Sequence, residues 1–197
     1  MSDKKRPYRM TRRAELEAET RRRITESAVA LHERIGPAQT SITAIAEAAG
    51  VRRSTVYRHF PDEEALFAAC SSHFRAHNPP PEPEGWAEIT DPELRTETAL
   101  RELYAFYGRT HRMYESLFRD ESLVPPVRRR LRDFHGYLQV VGDVLRKGRG
   151  RPSRRTRAAI GHAVAFETWR SLTQEQELSN GDAAALMCEL VRSASRR

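Results

Sequence analysis

Residues 41–60, SITAIAEAAGVRRSTVYRHF, leave few folds open. Ile42, Ile45, Ala46, Ala49, Val51 and Val56 fall at spacings that let two short helices bury them together, with Gly50 as a tight turn between. That packing leaves Arg52, Arg53, Ser54, Thr55, Tyr57, Arg58 and His59 to face a partner. A helix rich in cations and hydroxyls, carrying an aromatic and held off a small core by a glycine turn, suits the major groove of double-stranded DNA.

The totals agree with that partner. A chain of 197 residues fits one medium domain or a small domain fused to a larger one. At 39% hydrophobic it buries a core, which excludes a disordered tail, and its formal charge of +7 favours a polyanion. No apolar run approaches about 18 residues, so no membrane span is expected. The opening MSDKKRPYRM lacks an apolar stretch and does not read as a secretory signal. The chain has two cysteines, Cys70 and Cys188, which read as free thiols of a cytoplasmic protein.

Three segments follow from patterning: a basic arm over 1–15, a helix-turn-helix DNA-binding domain over 16–78 with a linking fourth helix, and a helical regulatory and dimerisation domain over 79–197. Within residues 1–13, six cations against Asp3, with Pro7 among them, predict an unstructured stretch, either following DNA phosphates or merely solvated. Ile24, Ala28, Leu31 and Ile35 then recur on one helical face. Gly36-Pro37 stops that helix, and Ser41 is placed to cap the next. Arg21, Arg22 and Arg23, interleaved with glutamates, fit an exposed helical face as well as a DNA contact. Pro61-Asp62 marks the next boundary, with Asp62, Glu63 and Glu64 in the first turn of a fourth helix, at its positive end.

The elements Thr40-Ser41-Ile42, Ile45-Ala46, Ala49-Gly50-Val51, Thr55-Val56-Tyr57-Arg58-His59-Phe60-Pro61 and Ala65-Leu66 closely resemble the N-terminal domain of the tetracycline-repressor (TetR) family. The resemblance covers roughly residues 20–70; beyond, only the family's all-helical plan is matched. It implies an all-α fold, with a three-helix DNA-binding domain followed by a helical ligand-binding and dimerisation domain. It also implies a repressor, released from a palindromic operator by a small molecule; the alternatives are a ligand-insensitive DNA-organising protein and an enzyme using the helical C-terminal domain, the latter disfavoured by the lack of a catalytic motif. Ser41, Thr55, Tyr57 and His59 match family positions that hold the DNA backbone. Arg52 and Arg53 have the donors to pair with guanine, Arg58 adds a cation, and Thr43 and Ser54 are short enough to read closely approached bases or phosphates. Two residues depart from the family pattern. Arg52 stands where a small hydroxyl residue usually opens the recognition helix, and Glu63 stands where a lysine usually binds backbone.

Beyond residue 78 the run NPPPEPEG reads as a non-helical linker. The spacings then predict a helix through Leu94–Tyr107 positions, a short second one around Tyr114, Leu117 and Phe118, and a long third over 127–147. Seven cations and no acid from Arg146 to Arg157 make a loop, nucleic-acid-binding or solvated. Two last helices, over 154–176 and 182–195, are rich in small residues. The family resemblance implies dimerisation through them, with Trp169, Leu172, Leu186, Met187 and Leu190 as candidates. The same resemblance puts an unknown effector among Tyr107, His111, Tyr114, Phe118, Tyr137, His162 and Phe166, all of which also suit ordinary core. Cys70, His73 and His77 share one face of the fourth helix, a weak metal-ligand constellation against a bland reading as a buried thiol and two histidines. No nucleophile elbow or phosphate loop is found, and no cofactor is implied.

Overall fold

The computed structural model describes residues 5–196, with side chains from Arg12 onward, and no strand occurs among them. Two units are distinguished, one comprising the chain to His77 with Arg112–Arg128 and the other Asn78–His111 with Arg129–Arg197. The first unit thus includes a segment that the patterning assigned to the second domain.

In the first unit, α1 (Lys5–Ile35) is followed by a 3-10 turn (Pro37–Gln39), α2 (Ile42–Ala48), α3 (Arg53–His59) and α4 (Glu63–His77). Residues 5–13, expected to be unstructured, extend α1; residues 1–4 of that arm lie outside the described residues. The core joins Ile24, Ala28 and Leu31 of α1 to Ile45, Ala46 and Ala49, and these to Val56, Phe60, Leu66 and Cys70. Each boundary has a local cause. Ser41 Oγ accepts the Ala44 N–H at 3.1 Å, capping α2. Gly50, at φ +64°, lets its own N–H reach Glu47 O and the Val51 N–H reach Ala46 O, which closes the helix in the left-handed manner that glycine tolerates. Asp62 caps α4 by accepting the Ala65 N–H at 2.7 Å, so it precedes the first turn in which it was expected.

The bend after α1 is held by the end of α6 (Pro92–Asp120). Arg119 Nη2 donates to Ile35 O at 3.0 Å, and the buried Asp120 carboxylate accepts the Ala38 N–H at 2.9 Å. A cation therefore meets the carbonyl end of α1, and an anion meets the amide end of the 3-10 turn. Gly36 lies between them at φ +90°, and any side chain there would collide with both groups. His32 is buried beneath, stacked on Phe67 at 4.8 Å, and its desolvation pushes its pKa down to about 4 despite the Asp120 charge.

The second unit contains α5 (Pro83–Ala87), the first turns of α6, most of α7 (Pro125–Arg146), α8 (Arg154–Ala163), α9 (Phe166–Arg170), a π turn (Ser171–Glu175) and α10 (Asn180–Ser195). Three expectations are corrected here. Residues 83–85 are helical, because Pro83 occupies a first helical turn, where its missing N–H costs no bond. The two helices expected across 94–118 are one, α6. The helix expected over 154–176 breaks after Ala163, where Tyr104 and Tyr107 of α6 donate their hydroxyls to Ala163 O and Val164 O at 2.8 and 2.7 Å. Those carbonyls thus need no intrahelical partner. The basic run is also partly internal. Arg149 turns inward to Glu93, Thr96, Pro92 O and Ser195, while Lys147, Arg151, Arg154, Arg155 and Arg157 are exposed.

Candidate nucleic-acid interface

Helix α3 has seven residues, and Val56 decides which way they face. Its side chain is fully buried in the head core, and Phe60, just beyond the helix, is 2% exposed. With those two inward, helical geometry turns Arg52, Arg53, Ser54, Tyr57 and Arg58 out to solvent, while Thr55 and His59 lie at the half-buried margin. Ser41 and Thr43 are exposed at the start of α2, although the Ser41 hydroxyl already holds the Ala44 N–H. Among the described residues, Arg52, Arg53, Ser54, Tyr57 and Arg58 have no side-chain hydrogen-bond or ion-pair partner. Three cations, a hydroxyl and a phenol are thus presented together with their hydrogen-bonding capacity unspent, as groove recognition requires.

Two local details shape the electrostatics. Arg52 is the N-cap of α3 and makes no side-chain cap bond, so its guanidinium is available outside the helix. Glu63 is exposed at the start of α4 and places negative charge where a phosphate contact was not expected. At the other end of α3, His59 Nε2 is shielded and has no hydrogen-bond partner among the described residues. Burial, then the positive charges of Arg58 and Arg21, lower the pKa of this ring and favour its neutral form.

Sequence reasoning named Arg21 only as an exposed-face or DNA-contact residue and missed its place at the end of α3. Its Nη1 donates to His59 O at 2.5 Å, and its guanidinium carbon stands 4.1 Å from the centre of the Phe60 ring. A signal was present in the spacing, since Arg21 precedes Ile24 by three positions and Ala28 by seven, on the apolar side of α1.

The effector candidates fall in both units. Tyr107, Phe166 and Trp169 pack together at ring separations of 5.4–5.8 Å, and His111 lies 6.0 Å from Trp169. Tyr137 approaches this cluster through Phe134 and donates to Pro81 O at 2.8 Å. Tyr114 and Phe118 belong to the first unit, 6.4 Å apart. His162, read as a polar group within an apolar helix, is exposed and pairs with Thr168 Oγ1 at 3.2 Å. Of the dimer candidates, Trp169 and Met187 are buried, Leu172 is half-buried, and Leu186 and Leu190 are 43% and 39% exposed on α10.

The metal constellation does not assemble, and no group of three His, Cys, Asp or Glu among the described residues could hold an ion. Cys70 is buried with Sγ 3.9 Å from Thr25 O, and burial pushes its thiol up to about 12. His73 and His77 instead stack on each other at 4.2 Å. No described helix is long and apolar enough to cross a membrane.

Residues 24–70, which hold this interface, match the family model of bacterial regulatory proteins of the tetR family. They are a tetR-family domain. No curated protein matches the chain. Solved structures of tetR-type regulators share its fold along most of its length. A TetR-like transcriptional regulator from Rhodococcus sp. RHA1 is 18% identical, with 90% of this chain and 97% of that one covered at a TM-score of 0.67. NalD, the secondary repressor of the MexAB-OprM multidrug efflux pump in Pseudomonas aeruginosa, is 20% identical over 91% and 97% at 0.62. The fatty acid degradation regulator FadR from Bacillus halodurans is 17% identical over 87% and 93% at 0.60. The chain therefore has the fold of a tetR-family transcriptional regulator, a tetR-type head followed by a helical body.

Proposed function

We propose that this protein is a cytoplasmic, homodimeric repressor that binds a palindromic operator in double-stranded DNA through α3 and is released by a small molecule. The observation that carries the reading is the row of unpaired donors on α3, turned outward by the burial of Val56 and Phe60. Arg52 and Arg53 would read guanine edges, and Ser54 and Thr43 closely approached bases or phosphates. Ser41, Thr55, Tyr57, Arg58 and His59 would hold the backbone and set register. A two-fold dimer would present two such helices about 34 Å apart, which calls for a palindrome. Exposed Leu186 and Leu190 on α10 support a dimer seam there. The aromatic cluster of Tyr107, Phe166 and Trp169 with His111 is the part of the helical body best supplied to hold an apolar effector. The roles of NalD, a repressor, and FadR, a fatty acid degradation regulator, fit this reading.

The test is selection of the full chain on random double-stranded DNA, followed by a compound screen for release. An enriched palindrome, lost on adding one compound class, is the expected result. Sequence-blind binding with a steep salt dependence would replace the repressor with a DNA-organising protein.

A further inference from the structure

The carbonyl end of α3 is held by a residue from another helix. Arg21 precedes His59 by 38 positions, yet its Nη1 donates to the His59 carbonyl while its guanidinium lies over the Phe60 ring. That carbonyl belongs to the last turn of α3, where backbone oxygens lack intrahelical partners and the helix dipole is negative. Both anchors are seated on packed elements, although the Arg21 side chain itself is exposed. Phe60 is the C-cap of α3 and is 2% exposed, and Arg21 is followed by Ile24, which is fully buried, and by Thr25, whose hydroxyl donates to Arg21 O at 3.0 Å. Helix α3, in contrast, has little cohesion of its own. It has seven residues and no N-terminal side-chain cap, so its attitude depends on Val56 inside and on whatever grips its ends.

We infer that Arg21 is a positioning residue for DNA recognition, fixing the angle at which α3 presents Arg53, Ser54 and Tyr57 without itself binding DNA. The inference rests on the function proposed above. The guanidinium suits the task because its planar face stacks on Phe60 while an edge N–H points at the carbonyl. A lysine ammonium has the charge without the face or the fork.

The test separates this role from that of an ordinary phosphate contact. Arg21→Lys and Arg21→Ala in the full chain are titrated against the operator selected by the wild type, over a range of salt. Both substitutions should weaken binding roughly tenfold, as loss of a charge-assisted hydrogen bond implies. The slope of log affinity on log salt should match the wild type, because no phosphate contact is surrendered. If Arg21→Lys binds like the wild type and Arg21→Ala flattens the slope by about one, Arg21 is a phosphate contact and the inference fails. The second arm needs no DNA. The Phe60 N–H, bonded to Val56 O at 2.8 Å, should exchange with solvent faster in both variants of the free protein. Unchanged protection there overturns the inference whether or not an operator exists, whereas failure to select an operator overturns only the proposed function. If Arg21→Ala does not fold, Arg21→Lys carries both arms.

Discussion

Val56 and Arg53 stand three positions apart on α3 and do opposite work. Val56 is spent on the core, and that commitment is what leaves Arg53 outside with all its donors unused. Arg53→Ala should therefore lose about 1–3 kcal/mol of discrimination at one base pair in each half-site, leaving the fold intact. Comparing selected sequences from the variant and the wild type reads this directly. His32 carries a different prediction. Its folded pKa of about 4 lies below the ordinary 6.5, so between those values the unfolded chain binds a proton that the native head refuses. This contribution is present above pH 6.5 and is lost as pH falls towards 4, at about 1.4 kcal/mol per pH unit within the window. Chemical denaturation at pH 7, 6 and 5 should show that slope, and His32→Gln should flatten it. The residues facing outward from α3 were legible as a pattern of types along a helix. The partners of Asp120 were not, because the amide it accepts from belongs to Ala38, 82 positions away.

Element boundaries were readable where the cause is local. Ser41 and Gly50 act through backbone groups three to five residues away, so a short window holds the whole interaction. Ser41→Ala should cost about 1 kcal/mol of head stability by removing the α2 cap, measurable in the same denaturation experiment. Where the cause is tertiary the reading failed. The apolar spacings put one helix through Tyr107 and another around Tyr114, yet α6 runs on between them, with the Asn180 side chain packed against Gly108 where a larger residue would intrude. The break between α8 and α9 falls at Val164-Ala165, which is neither proline nor glycine, and Gly161 before it remains within α8. It exists beside hydroxyls supplied by Tyr104 and Tyr107, residues chosen from sequence as core or ligand contacts rather than as caps. Tyr107→Phe should leave the Val164 carbonyl unsatisfied and lower stability by about 1–3 kcal/mol, seen as a reduced thermal midpoint.

For the molecule as a whole, the apolar surface remaining on α10 bears on assembly. Leu186 and Leu190 are one helical turn apart and exposed, whereas Met187 and Cys188 between them are buried in the second unit. Leu186→Asp with Leu190→Asp should convert the proposed dimer to a monomer in sedimentation. The same pair should weaken binding to a palindrome far more than to a half-site, since joining two heads raises the effective concentration of the second. An unchanged dimer would move the seam elsewhere. The sequence by itself determined the helix-turn-helix, its caps, the outward row of Arg52, Arg53, Ser54, Tyr57 and Arg58, and the all-helical body. All of these follow from periodicity and from bonds that span only a few residues. Only the tertiary structure decided that Arg21 grips the end of α3, that Arg119 and Asp120 hold the bend after α1, and that Arg149 turns inward. It also left Cys70 apart from the two histidines. Each of those outcomes depends on groups brought together from distant parts of the chain, and no local pattern encodes which distant atom a side chain will meet.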